Sequence, residues 1–413
     1  MKHSMLLAGM LLGSAVFMNL GIWNHCYAGS MVGVPSVNRT PVPPKRIPIS
    51  ALYVPLADHY AALVAYERYR DSMQYAEFTL KQMKGWDLLR ALFQSGGADL
   101  AFVMTPLALD MFNAKPHFKW VGLMHRDGNA LAINHLLNQI VQLPASRSDR
   151  QPTERVALAL KQRKLEIGKP TFVGVPHLMS THAVVLSHYL KQHGVSLSFS
   201  QNQAGDVLAI SLAPPKSPGF IKGNSHRAVP AAIEQSLPWA DIVETGGYGH
   251  VAWYSKDVLK WPNGHVECIA IAAQSALDQK YVAVQEVMSA IRRAGSDIEA
   301  ARKTGGKAMQ EIVNIVQKHI PMHTQSAIEA SLNLDLRVIN YEHLFPDIEG
   351  LAYIMRLALE GGILKAAVDL KDFTDDRFLE VSSDNILEKT PIKSFDLGLR
   401  PVDPVSIPDS GEH

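Results

Sequence analysis

Short apolar segments alternate with amphipathic ones along most of this sequence, and this alternation restricts the fold more than any other feature. In the first half, strands are predicted at 47–54, 76–83, 99–104 and 120–124, and helices at 59–69, 86–94 and 106–112. Strands that alternate with single helices predict a parallel sheet covered by helices on both faces. The connections are short, so each helix must begin close to the end of the preceding strand.

A polar stretch with two prolines, 142–152, separates this series from a second one. The second series has predicted strands at 171–175, 195–200, 206–212 and 266–272, and a predicted helix at 178–192. Further helices are predicted at 279–293, 297–319, 324–331 and 348–360. The resulting fold class is a bilobed α/β protein with two doubly wound sheets and a helical C-terminal region.

The chain is predicted to cross between the lobes twice, near 130–150 and near 260–268. We therefore expect lobe I to comprise 46–135 and 263–375, and lobe II to comprise 136–262. The cleft between two such lobes is the default position of a small-molecule site. Its walls are the loops that follow strands and open helices.

The first 28 residues are predicted to be a cleaved signal peptide. A basic start is followed by an apolar run at 5–23, and Ala28 provides a small residue for cleavage before Gly29. A membrane anchor that is retained is the alternative, because the run is long enough to span a bilayer. Cleavage would place the mature protein in the periplasm. Residues 29–45 are expected to be a linker and 376–413 a polar tail.

Composition excludes several classes of partner. Lys and Arg total 40 against 39 Asp and Glu, which argues against nucleic acid and against an electrostatic membrane partner. Cys26 leaves with the signal peptide, so the exported chain has no intramolecular disulfide. The remaining cysteine, Cys268, lies in an apolar strand and is predicted to be a buried, inert thiol.

Two loops of lobe I carry polar side chains directly after a predicted strand. Asp58, His59 and Tyr60 open a helix whose free backbone N–H groups suit an anion or a carboxylate. Asp58 fits a helix N-cap equally well. Thr105 precedes Pro106 at a standard helix start, so it is either a capping residue or a hydroxyl donor at the cleft wall.

Two further loops are candidates for ligand contact. His125 follows the strand at 120–124 and is the preferred contact there, because the charged residues after it can pair with each other. Ser180, Thr181 and His182 open the helix of lobe II and are expected to face the first loop across the cleft. Ser180 and Thr181 suit capping as well as binding, and His182 either contacts ligand or packs inside the lobe.

Motifs of the common enzyme classes are absent from the sequence. It contains no GxSxG, no Walker loop and no GxGxxG after a strand. The metal-binding motifs HExxH and CxxC are also absent. We therefore expect no enzyme activity, no metal and no cofactor. The 17 histidines, among them His250 and His265 near Gly-rich turns, keep a metal or a pH-sensitive site open as an alternative.

Several motifs occur in an order that resembles a known protein family. The helix of lobe II opens with Ser-Thr-His at 180–182, a later strand ends in Leu-Ala-Pro-Pro at 212–215, and Trp-Pro-Asn-Gly-His follows at 261–265. Between them, Glu234 matches a family glutamate near the ligand, whereas Gln235 stands where the family has proline. From roughly 46 to 373, the chain resembles the solute-binding proteins of nitrate, bicarbonate, sulfonate and taurine ABC importers.

This resemblance implies a type II periplasmic-binding fold that closes on its ligand by hinge motion. It implies a small polar, anionic ligand, contacts from Glu234 and Gln235, and an ABC permease and ATPase as partners of a monomeric protein. Two alternatives share the fold. One is a ligand-sensing module for a membrane sensor, and the other is an enzyme similar to the pyrimidine synthases of thiamine biosynthesis.

Overall fold

A computed structural model describes residues 45–379, in which strands and helices alternate as the sequence predicts. The strands are β1 (Ile47–Tyr53), β2 (Ala76–Gln82), β3 (Leu100–Met104), β4 (Phe118–Leu123), β5 (Arg126–Asp127), β6 (Asn129–Asn134), β7 (Thr171–Val175), β8 (Leu197–Ser198), β9 (Val207–Ser211), β10 (Ala231–Ser236), β11 (Gly249–Tyr254), β12 (Cys268–Ala273) and β13 (Ile339–Asn340).

The helices pack around the sheets and form most of the C-terminal region. They are α1 (Tyr60–Tyr69), α2 (Trp86–Gln94), α3 (Thr105–Ala114), α4 (His135–Val141), α5 (Glu154–Ile167), α6 (Thr181–Gln192), α7 (Ser217–His226), α8 (Trp239–Thr245), α9 (Ser255–Val258), α10 (Gln274–Gln279), α11 (Tyr281–Thr304), α12 (Gly306–His319), α13 (Gln325–Ser331), α14 (Ile348–Glu360) and α15 (Leu370–Phe373).

One of the two large sheets contains a strand that comes from a distant part of the chain. The five-stranded sheet has the order β2-β1-β3-β12-β4, so β12 returns from the second sheet and inserts between β3 and β4. The six-stranded sheet has the order β11-β6-β10-β7-β9-β8. We call the five-stranded sheet with its helices lobe I and the six-stranded sheet with its helices lobe II. The predicted bilobed α/β class is confirmed.

Burial explains why the strand β3 of lobe I is a continuous apolar run. Every residue of β3 is buried, because α2 and α3 and the strands on either side cover it. A parallel strand covered on both faces has no solvent side, so it lacks the alternation of a surface strand. The long helix α11 packs along α1 and closes the outer face of this lobe.

The two segments that join the lobes are bonded to each other. The first runs from the end of β4 to the start of β6, and the second runs from α9 to β12. Arg126 forms a bridge with Val266, and the backbone N–H of Asp127 donates to the carbonyl of His265 at 3.0 Å. The short strand β13 pairs with β5 and ties the C-terminal region to this junction.

The structure differs from the sequence prediction in a few elements. The strands β6, β10 and β11 were not predicted, and β6 lies in the sheet of lobe II. A helix predicted to end at 293 continues to Thr304, because Gly295 serves close packing instead of ending the helix. A Cβ at Gly295 would lie 2.6 Å from the carbonyl oxygen of Tyr341. The helix ends instead before Gly305, which has φ +66°.

Three predicted segments fall wholly or mainly outside the described residues. They are the signal peptide at 1–28, the linker at 29–45 and all of the tail beyond residue 379. The lobe boundaries at 46–135, 136–262 and 263–375 stay predictions. Among residues 45–379, no helix combines the length and apolarity that crossing a bilayer requires.

Candidate functional site

A group of polar side chains lies fully buried where the strand ends of the two sheets meet, and each of its members has 0% exposure. We call it the interlobe cluster. Its members are Asp58, His59, His125, Asn129, His182, Glu234, Ser236, Glu267 and Cys268. The loops after β1 and β4 and the start of β12 contribute the lobe I side, whereas the starts of α6 and β6 and the end of β10 contribute the lobe II side.

The centre of the cluster on the lobe I side is one imidazole between two carboxylates. His125 Nε2 lies 3.1 Å from Glu267 Oε2 and 3.6 Å from Asp58 Oδ2. Gly128 allows this placement, because it has φ +92° and a Cβ there would lie 2.9 Å from His125 Nδ1. Thr105 fixes the start of β12, since its Oγ1 donates to the carbonyl of Glu267 at 2.7 Å.

A thiol and a second imidazole extend the lobe I side. Cys268 Sγ lies 3.2 Å from His59 Nε2. The other ring nitrogen of His59 lies 2.7 Å from the carbonyl oxygen of Val54, so Nδ1 carries the proton and donates it. His59 Nε2 is therefore a lone-pair nitrogen that faces the thiol.

Lobe II reaches the same centre through two contacts. Ser236 Oγ donates to Asp58 Oδ2 at 3.1 Å and also contacts His182 Nε2 at 2.8 Å. His182 Nδ1 lies 3.5 Å from Glu267 Oε1. The carboxyl group of Glu234 is buried there as well, and the nearby Glu267 adds to the effect of burial in raising the pKa of Glu234. Residues from both lobes therefore enclose one polar space.

Burial and neighbouring charges set the protonation of the central groups. Burial alone would lower the pKa of His125, but the Asp58 and Glu267 carboxylates raise it to about 10. Burial alone would raise the pKa of Asp58, but His125 holds it below its usual value. Burial and the Asp58 charge raise the pKa of Glu267 to about 7. Asp58 and His125 thus form a buried ion pair beside a carboxyl group that titrates near neutrality.

The surrounding groups have pKa values shifted toward their uncharged forms. Burial lowers the pKa of His59 to about 4 and that of His182 to about 3, so both imidazoles are neutral at pH 7. Burial raises the pKa of Glu234 well above its usual value, and burial likewise raises the pKa of the Cys268 thiol.

Many polar atoms of the cluster have no hydrogen-bond partner, although buried polar atoms are normally paired. Of the eighteen such side-chain atoms within residues 45–379, eight belong to the interlobe cluster. They are Asp58 Oδ1, His125 Nδ1, both side-chain polar atoms of Asn129, His182 Nδ1, both carboxyl oxygens of Glu234, and Glu267 Oε1. Such a concentration at a junction of two lobes is typical of a binding site that a ligand completes.

The structure brings four of the sequence-predicted residues into the cluster beside Glu234. Asp58, His59, His125 and His182 all lie there, and Asp58 does not cap a helix. The backbone N–H of Ala57, just before Asp58, donates to the carbonyl of Leu237 in lobe II at 2.8 Å. The loop after β1 is therefore held between the lobes.

The other predicted residues lie outside the cluster, and all but Thr181 have structural partners. Ser180 caps α6 by accepting from the backbone N–H of Ala183, as its capping alternative predicts. The Tyr60 hydroxyl contacts His323 Nδ1 at 2.9 Å, and Gln235 Nε2 donates to the carbonyl of Leu212. Thr181 is fully buried without a partner for its hydroxyl, and Thr105 acts through the backbone of Glu267 as described above.

Sequence reasoning missed Asn129, Ser236 and Glu267, and it treated Cys268 as inert. Of these residues, Glu267 could have been found from its neighbours in the sequence. Glu267 interrupts an apolar run directly before β12, where a carboxylate is costly unless it has a partner or a ligand. The contact between His59 and Cys268 has no such signal, because these residues are 209 positions apart.

A family model described as the NMT1-like family matches residues 44–314, which is more than half of the chain. The chain belongs to the NMT1-like family. No curated protein matches the sequence.

Solved structures with this fold include binding components of import systems. The ligand-binding component of an ABC-type import system from Staphylococcus aureus, solved with zinc bound, has a TM-score of 0.60 and 18% identity, covering 81% of this chain and 98% of that one. The periplasmic nitrate-binding protein NrtA from Synechocystis PCC 6803 has a TM-score of 0.64 and 15% identity, covering 79% and 84%. These matches confirm the predicted periplasmic-binding fold and the resemblance to importer binding proteins.

The same fold also occurs in an enzyme. The desulfurization enzyme DSZB has a TM-score of 0.50 and 12% identity, covering 81% of this chain and 97% of that one. A shared fold does not determine activity, because function depends on the site that the fold carries.

Proposed function

We propose that this protein is the solute-binding component of an ABC importer and that it encloses a small polar ligand in the interlobe cluster. The observation that carries this proposal is the group of eight unpaired, fully buried polar atoms contributed by both lobes. An apolar core would not retain such atoms, since each costs about 1–3 kcal/mol when it lacks a partner. A ligand that pairs with them accounts for the arrangement.

The donor atoms of the cluster favour a cation, although the sequence led us to expect an anion. Asp58, Glu234 and Glu267 supply three carboxyl groups, and none of the nine members of the cluster is Lys or Arg. The nearby Arg126 is already paired with Asp347 Oδ2 at 2.9 Å. The free N–H groups at the start of α1 favour negative charge, but Asp58 itself occupies that position.

The hinge that this function needs corresponds to the two bonded segments between the lobes. With a ligand absent, we expect the contacts of Asp58 with Ser236 and of Glu267 with His182 to break as the lobes separate. Small-angle scattering should then give a smaller radius of gyration in the presence of a saturating ligand. Unchanged scattering would count against closure.

Export and delivery complete the proposal. A signal peptide at 1–28 would place the mature chain in the periplasm, where a permease with its ATPase receives the ligand. N-terminal sequencing of the periplasmic protein should begin near Gly29, and recovery of Met1 in the membrane fraction would contradict export by cleavage. Loss of ligand uptake in a deletion strain supports the importer, whereas loss of a transcriptional response with normal uptake supports the sensing module.

A thermal-shift screen of the purified mature protein against cations, amines and anions tests the binding function. A ligand at about 100 times its dissociation constant should add about 2.7 kcal/mol to the free energy of unfolding. The Glu267→Gln variant should lose this shift, and the matched Glu360→Gln variant should keep it, because Glu360 lies on the exposed face of α14. Equal shifts in both variants would place the ligand elsewhere.

A second candidate function is an enzyme of the same fold, and the contact between Cys268 and His59 favours it. A thiol beside an imidazole lone pair is the arrangement of a nucleophile and its base. Against it, burial raises the pKa of the thiol, which keeps the sulfur protonated. Recovery of a chemically altered ligand, lost in Cys268→Ser, would favour the enzyme.

A further inference from the structure

We propose that the cation is a divalent transition-metal ion, bound as cargo by Asp58, His125, Glu267 and Cys268. This inference rests on the proposed binding function and names the class of ligand. The sequence predicts no metal, because it contains neither HExxH nor CxxC.

The four donor atoms are close enough for one ion. One ligand atom from each residue lies within 4.8 Å of every other. In a tetrahedral site with bonds of about 2.0–2.3 Å, donor atoms are separated by roughly 3.3–3.8 Å. The distance of 3.6 Å between His125 Nε2 and Asp58 Oδ2 falls in that range. Small side-chain shifts would bring the remaining donors to coordination distance.

The donor types select a class of ion. Two carboxylates, an imidazole and a thiol combine hard, borderline and soft ligands. Ca²⁺ and Mg²⁺ take oxygen ligands, so a set with nitrogen and sulfur does not suit them. Zn²⁺ and neighbouring divalent ions accept all three donor types, and Cys with His is their usual combination.

Unpaired atoms provide a second, independent observation. Asp58 Oδ1 and Glu267 Oε1 are fully buried and lack a partner, although the other oxygen of each carboxylate is engaged. A carboxylate binds an ion through one or both of its oxygens, so the free oxygen of each group is available to the ion beside the oxygen that faces His125.

The position of the donors also predicts that metal binding precedes closure of the lobes. All four belong to lobe I or to the segments that join the lobes, so an open protein would already present them. His182 and Ser236 in lobe II reach Glu267 and Asp58 only in the closed form. Metal would therefore bind to lobe I first, and the hydrogen bond from Ser236 to Asp58, with His182 bonded to Ser236 behind it, would then hold the lobes closed.

The test uses the mature protein without an affinity tag, treated with chelator and dialysed. Titration with ZnCl₂ should give one bound ion per chain, and CoCl₂ should produce a thiolate-to-cobalt charge-transfer band. Cys268→Ser should abolish that band. His125→Gln should weaken Zn²⁺ binding by more than about 100-fold, because loss of an outer partner alone costs about 10–100-fold.

A matched control comes from the surface of lobe II. His135 Nδ1 lies 3.1 Å from His250 Nε2, and this exposed pair could bind zinc adventitiously. The double variant His135→Ala/His250→Ala should keep wild-type stoichiometry and affinity. The variant His182→Ala should still bind cobalt with the thiolate band, but it should not show the compaction seen by scattering.

Three outcomes overturn the inference. They are the absence of Zn²⁺ and Co²⁺ binding, loss of binding in the His135/His250 double variant, and a cobalt spectrum that Cys268→Ser leaves unchanged. If metals fail but an amine stabilises the protein and Glu267→Gln removes that effect, the binding function stands without the metal. If no solute of any class binds, both proposals fall.

Discussion

Two of the polar clusters within residues 45–379 contain buried charged side chains and differ in how many of their polar atoms are paired. The interlobe cluster has eight unpaired atoms. A second group, which we call the arginine cluster, has none. It consists of Arg147, Arg150, Asp241, Glu244, Tyr254 and Ser331.

The arginine cluster is complete within the protein. Glu244 accepts from Arg150 at 2.8 Å and from the backbone N–H of Val251 at 2.7 Å. Asp241 accepts from Arg147 at 2.8 Å and from Ser331 at 2.7 Å. These contacts hold α8, β11 and the segment before α5 together. A network with all its polar atoms paired stabilises a fold, whereas an incomplete one at the junction of two lobes indicates a ligand.

The largest expected effect comes from breaking the complete network. Glu244→Ala leaves Arg150, which is only 5% exposed, without its carboxylate partner. Removal of one partner of a buried ion pair costs about 3–5 kcal/mol, and we expect the lower end because Glu244 keeps 20% exposure. Urea denaturation measures this loss. A loss below about 1 kcal/mol would show that the comparison overstates the role of the arginine cluster.

In the interlobe cluster, removal of an unpaired group should stabilise the ligand-free protein. Glu234→Met replaces a carboxyl group that has no partner for either oxygen with an apolar chain of similar length. The free energy of unfolding of the ligand-free protein should rise by about 1–3 kcal/mol, since an unsatisfied buried group is removed. Ligand binding should weaken at the same time. A destabilised variant would mean that Glu234 has a structural partner in solution.

Acid should weaken the arginine cluster, because it protonates Glu244. Burial alone would raise the pKa of Glu244, but hydrogen bonds from Arg150 and neighbouring charges hold it below its usual value of 4.5. A lowered pKa stabilises the fold above the unfolded-state value, and that contribution is lost as pH falls through the folded-state value. The stability difference between wild type and Glu244→Gln should therefore shrink below pH 4.5. A difference that stays constant down to pH 3 (about one unit below the usual range) would contradict this assignment.

The smallest expected change in stability is at an exposed ion pair that lies outside both clusters. Arg356 and Glu360 pair at 2.8 Å one helical turn apart on α14, with 56% and 43% of their side chains exposed. Arg356→Ala should change the free energy of unfolding by about 0.5 kcal/mol or less. Thermal unfolding checks this value, and a larger loss would show that exposure is a poor guide to the energetics of this chain.

The sequence predicts the fold well where burial is uniform. The strand β3 is a uniformly buried apolar run followed by a helix, and the helix limits of α2 and α14 agree with the predicted ones. The strand β10 was missed because it ends in Glu234, Gln235 and Ser236, two of which belong to the interlobe cluster. Functional residues at the end of a strand break the apolar pattern that identifies it.

The site is only partly predictable for a related reason. The place of Asp58, His125 and His182 follows from the rule that loops after strands line the cleft. The charge of the ligand does not follow from that rule, because it depends on which loops meet. Glu267 and Cys268 come to Asp58 and His59 only through the insertion of β12 between β3 and β4, which no local spacing encodes.

Anomalous diffraction at the zinc edge tests the central claim most directly. Crystals of chelator-treated protein grown with one equivalent of ZnCl₂ should show a single strong peak about 2.3 Å from Cys268 Sγ, with Asp58, His125 and Glu267 around it. A peak at the exposed histidines His135 and His250, or an interlobe cluster without density in zinc-saturated crystals, would contradict the account.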